Sequence, residues 1–311
     1  MAISASEVKK LREMTGAGMM DCKKALTATE GDMDKAVEWL REKGLATAQK
    51  KAGRIAAEGI CMAALSEDCK KAVVVEVNAE TDFVAKNDKF RGYVADVAAQ
   101  ALNTQAADID AFLAEPWALD TTKTVKEALA AQIAVIGENM NIRRFQQCEE
   151  PNGFVQSYIH AGGKIGVLVD VETTVVNDAV VEMAKNVAMQ VAAMKPLYTS
   201  NKEVDQAYIE KEKEILFAAA KNEKPDANDK ILNGMVMGRI NKELKEIVLL
   251  DQVYVKAEDG KQSVGKYVES VAKEQGAKIN VKGFVRFETG EGIEKKQENF
   301  ADEVAAQMAG K

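Results

Sequence analysis

The chain has 311 residues, 47% of them hydrophobic, 29% charged and only 5% aromatic, with 49 acidic against 42 basic side chains and a net charge of −7. This is enough length and apolar content for two or three units with cores of aliphatic side chains. The acidic balance argues against nucleic acid as a direct partner, because phosphate binding needs a dominant basic surface.

Ser4 and Glu7 stand at capping-box spacing before Val8 and Leu11, which predicts a first helix. Gly16 and Gly18 break it. Asp32 caps a third helix in which Met33, Ala36, Val37 and Leu40 share one face, and Gly44 stands where a C-terminal cap belongs. Lys50, Lys51 and Arg54 follow in an Ala-rich helical linker, where a solvated charged face is expected.

An internal repeat comes next. Gly59-Ile60 opens a strand, Ser66-Glu67-Asp68 turns, and Ala72 to Asn78 returns. A helix follows with Phe90, Val94, Val97 and Ala101 on one face. The same grammar recurs 94 residues later: Gly153-Phe154 opens, Ala161-Gly162-Gly163 turns, and Ile165 to Val171 returns, so Val75-Glu76-Val77 falls on Val169-Asp170-Val171. Asn177 caps the second helix, which carries Val181, Ala184, Ala188 and Val191 and stops at Pro196. Asn141 to Phe145 and Asn280 to Phe284 read as a closing strand of each copy. Their spacing of 139 leaves an insertion of 45 residues in the second copy. Residues 202–247, charged and helix-favouring with a bend at Pro225, fit it as an antiparallel helical hairpin. Phe300, Val304 and Met308 lie four apart on a terminal helix.

No enzyme signature is present. There is no G-x-x-x-x-G-K-[ST] phosphate loop and no G-x-S-x-G elbow, and the single histidine, His160, would have to serve any triad. Gly16-Ala17-Gly18 lacks the preceding strand of a dinucleotide fingerprint. Cys22, Cys61, Cys69 and Cys148 form no C-x-x-C pair, so reduced thiols are expected rather than a metal site. Met1-Ala2-Ile3-Ser4 does not read as a signal peptide, and no apolar run approaches the ~20 residues that span a bilayer. A cytoplasmic chain with no membrane contact, no catalytic residue, no cofactor and no metal is expected.

The most telling stretch is Thr81-Asp82-Phe83-Val84-Ala85-Lys86-Asn87, an acid–aromatic pair at the end of the apolar run Val73 to Val77. A phenylalanine projected from a strand edge costs solubility and marks insertion into a partner. This heptapeptide, together with Thr15-Gly16-Ala17-Gly18-Met19-Met20-Asp21-Cys22-Lys23-Lys24-Ala25-Leu26, resembles the elongation factor Ts family, the guanine nucleotide exchange factors of elongation factor Tu. Gly290 to Lys295 resembles the family's C-terminal module, and the first 40 residues resemble ubiquitin-associated domains. The resemblance covers essentially the whole chain.

The implied fold class is α+β, with a three-helix UBA-like module, two related subdomains with small antiparallel sheets packed on helices, an inserted hairpin and a C-terminal helix. The implied division is 1–54 for the module and linker, 55–150 and 151–290 for the core subdomains, the hairpin at about 198–250, and 291–311 for the C-terminal module. The implied function is GDP release from elongation factor Tu without a covalent step. In the family the acid–aromatic pair enters the GTPase near its magnesium site, which assigns Thr81, Asp82, Phe83 and Val84 to partner binding and Mg2+ dislocation. Family segments also imply partner contacts at Met19, Met20, Gly137, His160, Met235 and Val236, and a homodimer contact through the hairpin. One of Met19 and Met20 is expected inside the three-helix core. Where the family commonly has glycine after the histidine, this chain has Ala161. A second class stays open: a non-enzymatic interaction protein that uses the three-helix module on another partner.

Overall fold

In the computed structural model, which describes residues 3–294, Ser4 opens α1 (Ala5–Thr15) with the predicted capping box. Its hydroxyl accepts the Glu7 amide at 3.2 Å, while Glu7 Oε2 accepts the Ser4 amide at 2.7 Å. Gly16 ends the helix at φ 67°, a left-handed cap that glycine adopts without a Cβ penalty, and Gly18 starts α2 (Met19–Ala28). Asp32 caps α3 (Met33–Lys51) by accepting the Lys35 amide. Val8, Leu11, Cys22, Ala25, Leu26 and Ala36 close a small common core.

The described chain clusters into two units. The first holds residues up to Met62, Val75–Phe145 and those from Glu288 onward; the second holds Ala63–Val74 and Gln146–Phe287. After α3 the chain forms β1 (Glu58–Leu65), β2 (Lys71–Ala79), the single turn α4 (Asp82–Ala85), α5 (Asp88–Asn103) and α6 (Ile109–Ala114). The two-stranded pair β3 (Pro116–Trp117) and β4 (Asp120–Thr124), then α7 (Val125–Ile136) and β5 (Met140–Glu149), follow. β1, β2 and β5 make a three-stranded sheet in the order β1-β2-β5. Phe90, Val94, Val97 and Ala101 on α5 are all buried, as the helical spacing predicts.

Two expectations fail here. Gly44 is not a cap: α3 runs through it to Lys51. The bare Cα lies against the α7 backbone, where a Cβ would meet the Ala130 carbonyl oxygen at 3.6 Å. The glycine thus serves close helix approach, and the Arg41 guanidinium fixes the crossing by donating twice to Glu127 on α7, at 3.0 and 2.5 Å. Nor are Lys51 and Arg54 simply solvated. Lys51 Nζ donates to the Gly137 carbonyl, and Arg54 pairs with Glu80 at 3.4 Å. Lys50 and Arg54 keep the expected exposed face, and Lys51 is half-buried.

The second unit repeats the plan. β6 (Gly153–His160) pairs antiparallel with β7 (Ile165–Thr173), from Gly153 opposite Glu172 to His160 opposite Ile165. α8 (Asp178–Met194) starts at Asn177, whose side chain accepts the Val180 amide at 3.1 Å. The hairpin helices α9 (Gln206–Glu223) and α10 (Asp229–Ile247), then α11 (Val264–Glu274) and β8 (Ile279–Glu288), complete it, with sheet order β6-β7-β8. Val167, Val169 and Val171 on β7 meet Met183, Ala184, Val187 and Val191 on α8 in the core. The predicted turn at Pro225 lies between α9 and α10, which close on Ala220, Leu232, Val236 and Ile240. The architecture is α+β, as expected. The predicted terminal helix through Phe300, Val304 and Met308 lies outside the described residues.

Each unit buries one carboxylate in a polar cluster. In the first, Glu76 is fully buried in β2. Its Oε1 accepts the Gly290 backbone amide at 2.8 Å, the Asn78 side-chain Nδ2 at 3.0 Å and Arg143 at 3.0 Å, and its Oε2 accepts Arg144 Nε at 2.6 Å. Burial opposes the charge, but these donors together hold the carboxyl below its ordinary value. In the second, Glu150 accepts Lys282 Nζ at 2.9 Å and the Asn152 amide at 2.8 Å, and hydrogen-bonds the Asp170 carboxyl. Burial, then the bond to Glu150 and its charge, push Asp170 up to about 6, so it holds its proton to a higher pH than a free aspartate.

Candidate functional site

The buried run Val73, Val74, Val75 and Val77 holds β2 in the core, and the chain leaves it at Glu80 and Thr81. Thr81 is extended (φ −124°, ψ 156°), and its hydroxyl accepts the Val84 amide at 3.3 Å, which caps α4. The acid–aromatic pair therefore sits on one helical turn rather than on the strand edge itself. Ala85 buries beneath that turn, Asn87 caps α5 by accepting the Lys89 amide at 2.9 Å, and Phe83 is left outside with 81% of its surface exposed. Asp82 pairs with Lys86 one turn later at 2.7 Å. An 81% exposed phenylalanine fixed on a short, capped turn has an apolar face and no core of its own to fill it.

The turn is braced from the α7–β5 connection. Glu138 Oε2 accepts the Thr81 amide at 3.0 Å and Glu138 Oε1 accepts the Thr81 hydroxyl at 2.6 Å. In return, Glu80 Oε1 accepts the Asn139 amide at 2.5 Å. The Asn139 side chain donates to the Arg54 carbonyl at 2.7 Å. The sequence marked Gly137 but not this exchange of bonds, which joins residues 57 and 59 positions apart and leaves no local pattern.

The remaining predicted residues are spread over both units. Met19 and Met20 are both exposed, at 53% and 64%, which corrects the expectation that one of them packs inside. They occupy the first two positions of α2, and the buried face of that helix is made by Cys22, Ala25 and Leu26. Gly137 ends α7 in the left-handed region at φ 88° and is exposed. His160 ends β6, exposed, with Nδ1 3.0 Å from the Tyr158 hydroxyl. Ala161 after it adopts φ 47°, a conformation that favours glycine. Met235 is half-buried against the hairpin core and Val236 is buried within it.

All four cysteines are free thiols. Among the described residues no group of three or more His, Cys, Asp or Glu side chains is placed to hold a metal ion, and no helix is long and apolar enough to cross a membrane.

A sequence profile described as Elongation factor TS matches residues 80–291, from the residue before the braced turn to the segment that reaches Glu76. An elongation factor Ts of Clostridium perfringens is 55% identical over 310 residues, covering 99% of this chain and all of that protein. One from Clostridium botulinum is 54% identical over 307 residues, covering 98% and 99%. One from Clostridium kluyveri is 50% identical over 310 residues, covering 99% and all of its length.

Proposed function

The chain belongs to the elongation factor Ts family and is a translation elongation factor; from that premise we propose that it binds elongation factor Tu carrying GDP, speeds GDP release and so allows GTP to load. The observation that carries this reading is the Phe83 ring, 81% exposed on a capped turn. Nucleotide affinity in a GTPase rests on a magnesium ion that bridges protein and phosphates. An aromatic wedge that shifts the groups ordering the ion's water shell leaves phosphate charge poorly neutralised, and the nucleotide leaves faster. Thr81, Asp82, Phe83 and Val84 form the wedge. Met19, Met20, Gly137, His160 and Met235 supply further contacts. Val236, buried in the hairpin core, reaches a partner only if the hairpin opens.

The energetics are those of linkage. A factor that binds the nucleotide-free GTPase more tightly than the loaded form must weaken nucleotide binding by the same ratio. Incoming GTP then expels the factor. This requires no covalent step and no cofactor, so the activity is exchange rather than enzymatic turnover. We place it in the cytoplasm, keep the four-part division at 1–54, 55–150, 151–290 and 291–311, and assign to the hairpin, with exposed Ile215, Ile231 and Met237, a contact with a second copy.

The test is GDP release from elongation factor Tu followed with a fluorescent nucleotide. Acceleration that saturates with added protein is expected. An unchanged release rate, together with a pull-down in which another protein dominates and Tu is absent, would move the function to the three-helix module.

A further inference from the structure

α4 has four residues, fewer than a turn of helix needs to sustain itself in water. What orders it is the Thr81 cap, and that cap depends on Glu138. A hydroxyl has one proton. Thr81 gives it to Glu138 Oε1 at 2.6 Å, so its lone pairs are left to receive the Val84 amide. The same carboxylate takes the Thr81 amide at 3.0 Å, which fixes the extended backbone from which the turn springs. The carboxylate is itself delivered from a rigid element: Gly137 closes α7 in the left-handed region, its carbonyl is held by Lys51, and Asn139 is pinned to Glu80.

We infer that Glu138 is a positioning residue, which holds the Asp82–Phe83 turn in its presenting geometry by setting the direction of the Thr81 hydroxyl. The inference rests on the proposed exchange function for its kinetic consequence, and on the free protein alone for its structural one. A Gln at this position keeps the shape but offers an N–H₂ where one of the two Thr81 donors needs an acceptor.

The experiment has two arms on Glu138→Gln in the full chain. In the free protein, amide exchange at Val84 and its neighbours is expected to quicken about 5-fold, the size of losing one helix cap. In the GDP-release assay, the maximal stimulated rate is expected to fall about 10-fold while the half-saturating concentration of factor moves less than about 2-fold, because a misplaced group costs the step and not the encounter. A residue serving stability alone would move neither the rate nor the local exchange ahead of global unfolding. Thr81→Val is the second variant should the first fold poorly, and the double variant is expected to lose no more than the worse single one. Unchanged amide exchange, or a raised half-saturation with the maximal rate intact, overturns the inference. If the wild-type protein fails to accelerate GDP release, the exchange function falls, and the amide arm still decides whether Glu138 orders the turn.

Discussion

Gly59 and Gly153 stand 94 positions apart and make the same close approach, each to the strand that follows it. A Cβ on Gly59 would lie 2.2 Å from the Val77 carbonyl oxygen, and one on Gly153 2.0 Å from that of Val171. Val77 and Val171 are separated by the same 94 positions, so the repeat read from the sequence is preserved in the register of the two hairpins. No side chain fits at either glycine without displacing backbone. Gly59→Ala and Gly153→Ala are each expected to destabilise by about 3 kcal/mol, read from urea midpoints. A change below about 0.5 kcal/mol in either variant would show that the strands accommodate the methyl group.

Phe83→Ala separates presentation from folding. The ring is 81% exposed, so stability is expected to stay within about 0.5 kcal/mol of wild type. An aromatic anchor at a partner surface is worth roughly 2 kcal/mol, so stimulated GDP release is expected to fall about 30-fold. Thermal unfolding and fluorescent-nucleotide release check the two halves. Full stimulation from the variant would remove the wedge and leave the exchange function to other contacts.

Glu76→Gln removes the charge that pairs Arg143 and Arg144 and receives Gly290. Breaking a buried ion set from one side is expected to cost about 3 kcal/mol. The sign of the pH effect follows from the direction of the shift. A carboxyl held below its ordinary value of 4.5 contributes stability that is complete above that value and is lost as pH falls through the lower folded value. The variant is therefore expected to show a flatter acid limb than wild type when urea midpoints are followed from about pH 7 to about pH 3. Parallel limbs would mean that Glu76 carries no depressed carboxyl.

Asp170 works in the opposite sense. Burial and the Glu150 carboxylate hold its carboxyl at about 6 against an ordinary 3.8, while Lys282 opposes and Glu172 adds to the rise. The folded chain keeps a proton that the unfolded chain releases, so this contribution is complete below 3.8 and is lost as pH rises through about 6. Asp170→Asn stays neutral throughout. Its stability relative to wild type is expected to increase between about pH 4.5 and about pH 7, measured as the difference in urea midpoints. A constant difference across that window contradicts the raised Asp170 carboxyl.

Ala161→Gly tests the turn after His160. An alanine at φ 47° pays for the left-handed region, and glycine there is expected to gain up to about 1 kcal/mol after its own entropic cost. A loss of thermal stability in the variant would show that the turn prefers the methyl group.

What local chemistry decides was legible in the residues alone. Ser4 and Glu7, Asp32 and Asn177 announce helix starts because caps act within three positions. The valine runs and the 94-residue repeat announce the paired hairpins because burial imposes a period. Phe83 was marked because an aromatic beside a carboxylate at the end of an apolar strand has no place in its own core. Tertiary structure alone decided the rest. Gly44 reads as a helix end until α7 is seen against it, and both methionines face outward because Cys22, Ala25 and Leu26 already fill the α2 side of the core. The bracing of Thr81 by Glu138, and of Gly290 by Glu76, joins residues 57 and 214 positions apart. A hydrogen bond across that distance depends on which backbones packing brings together, and no spacing rule along the chain encodes it.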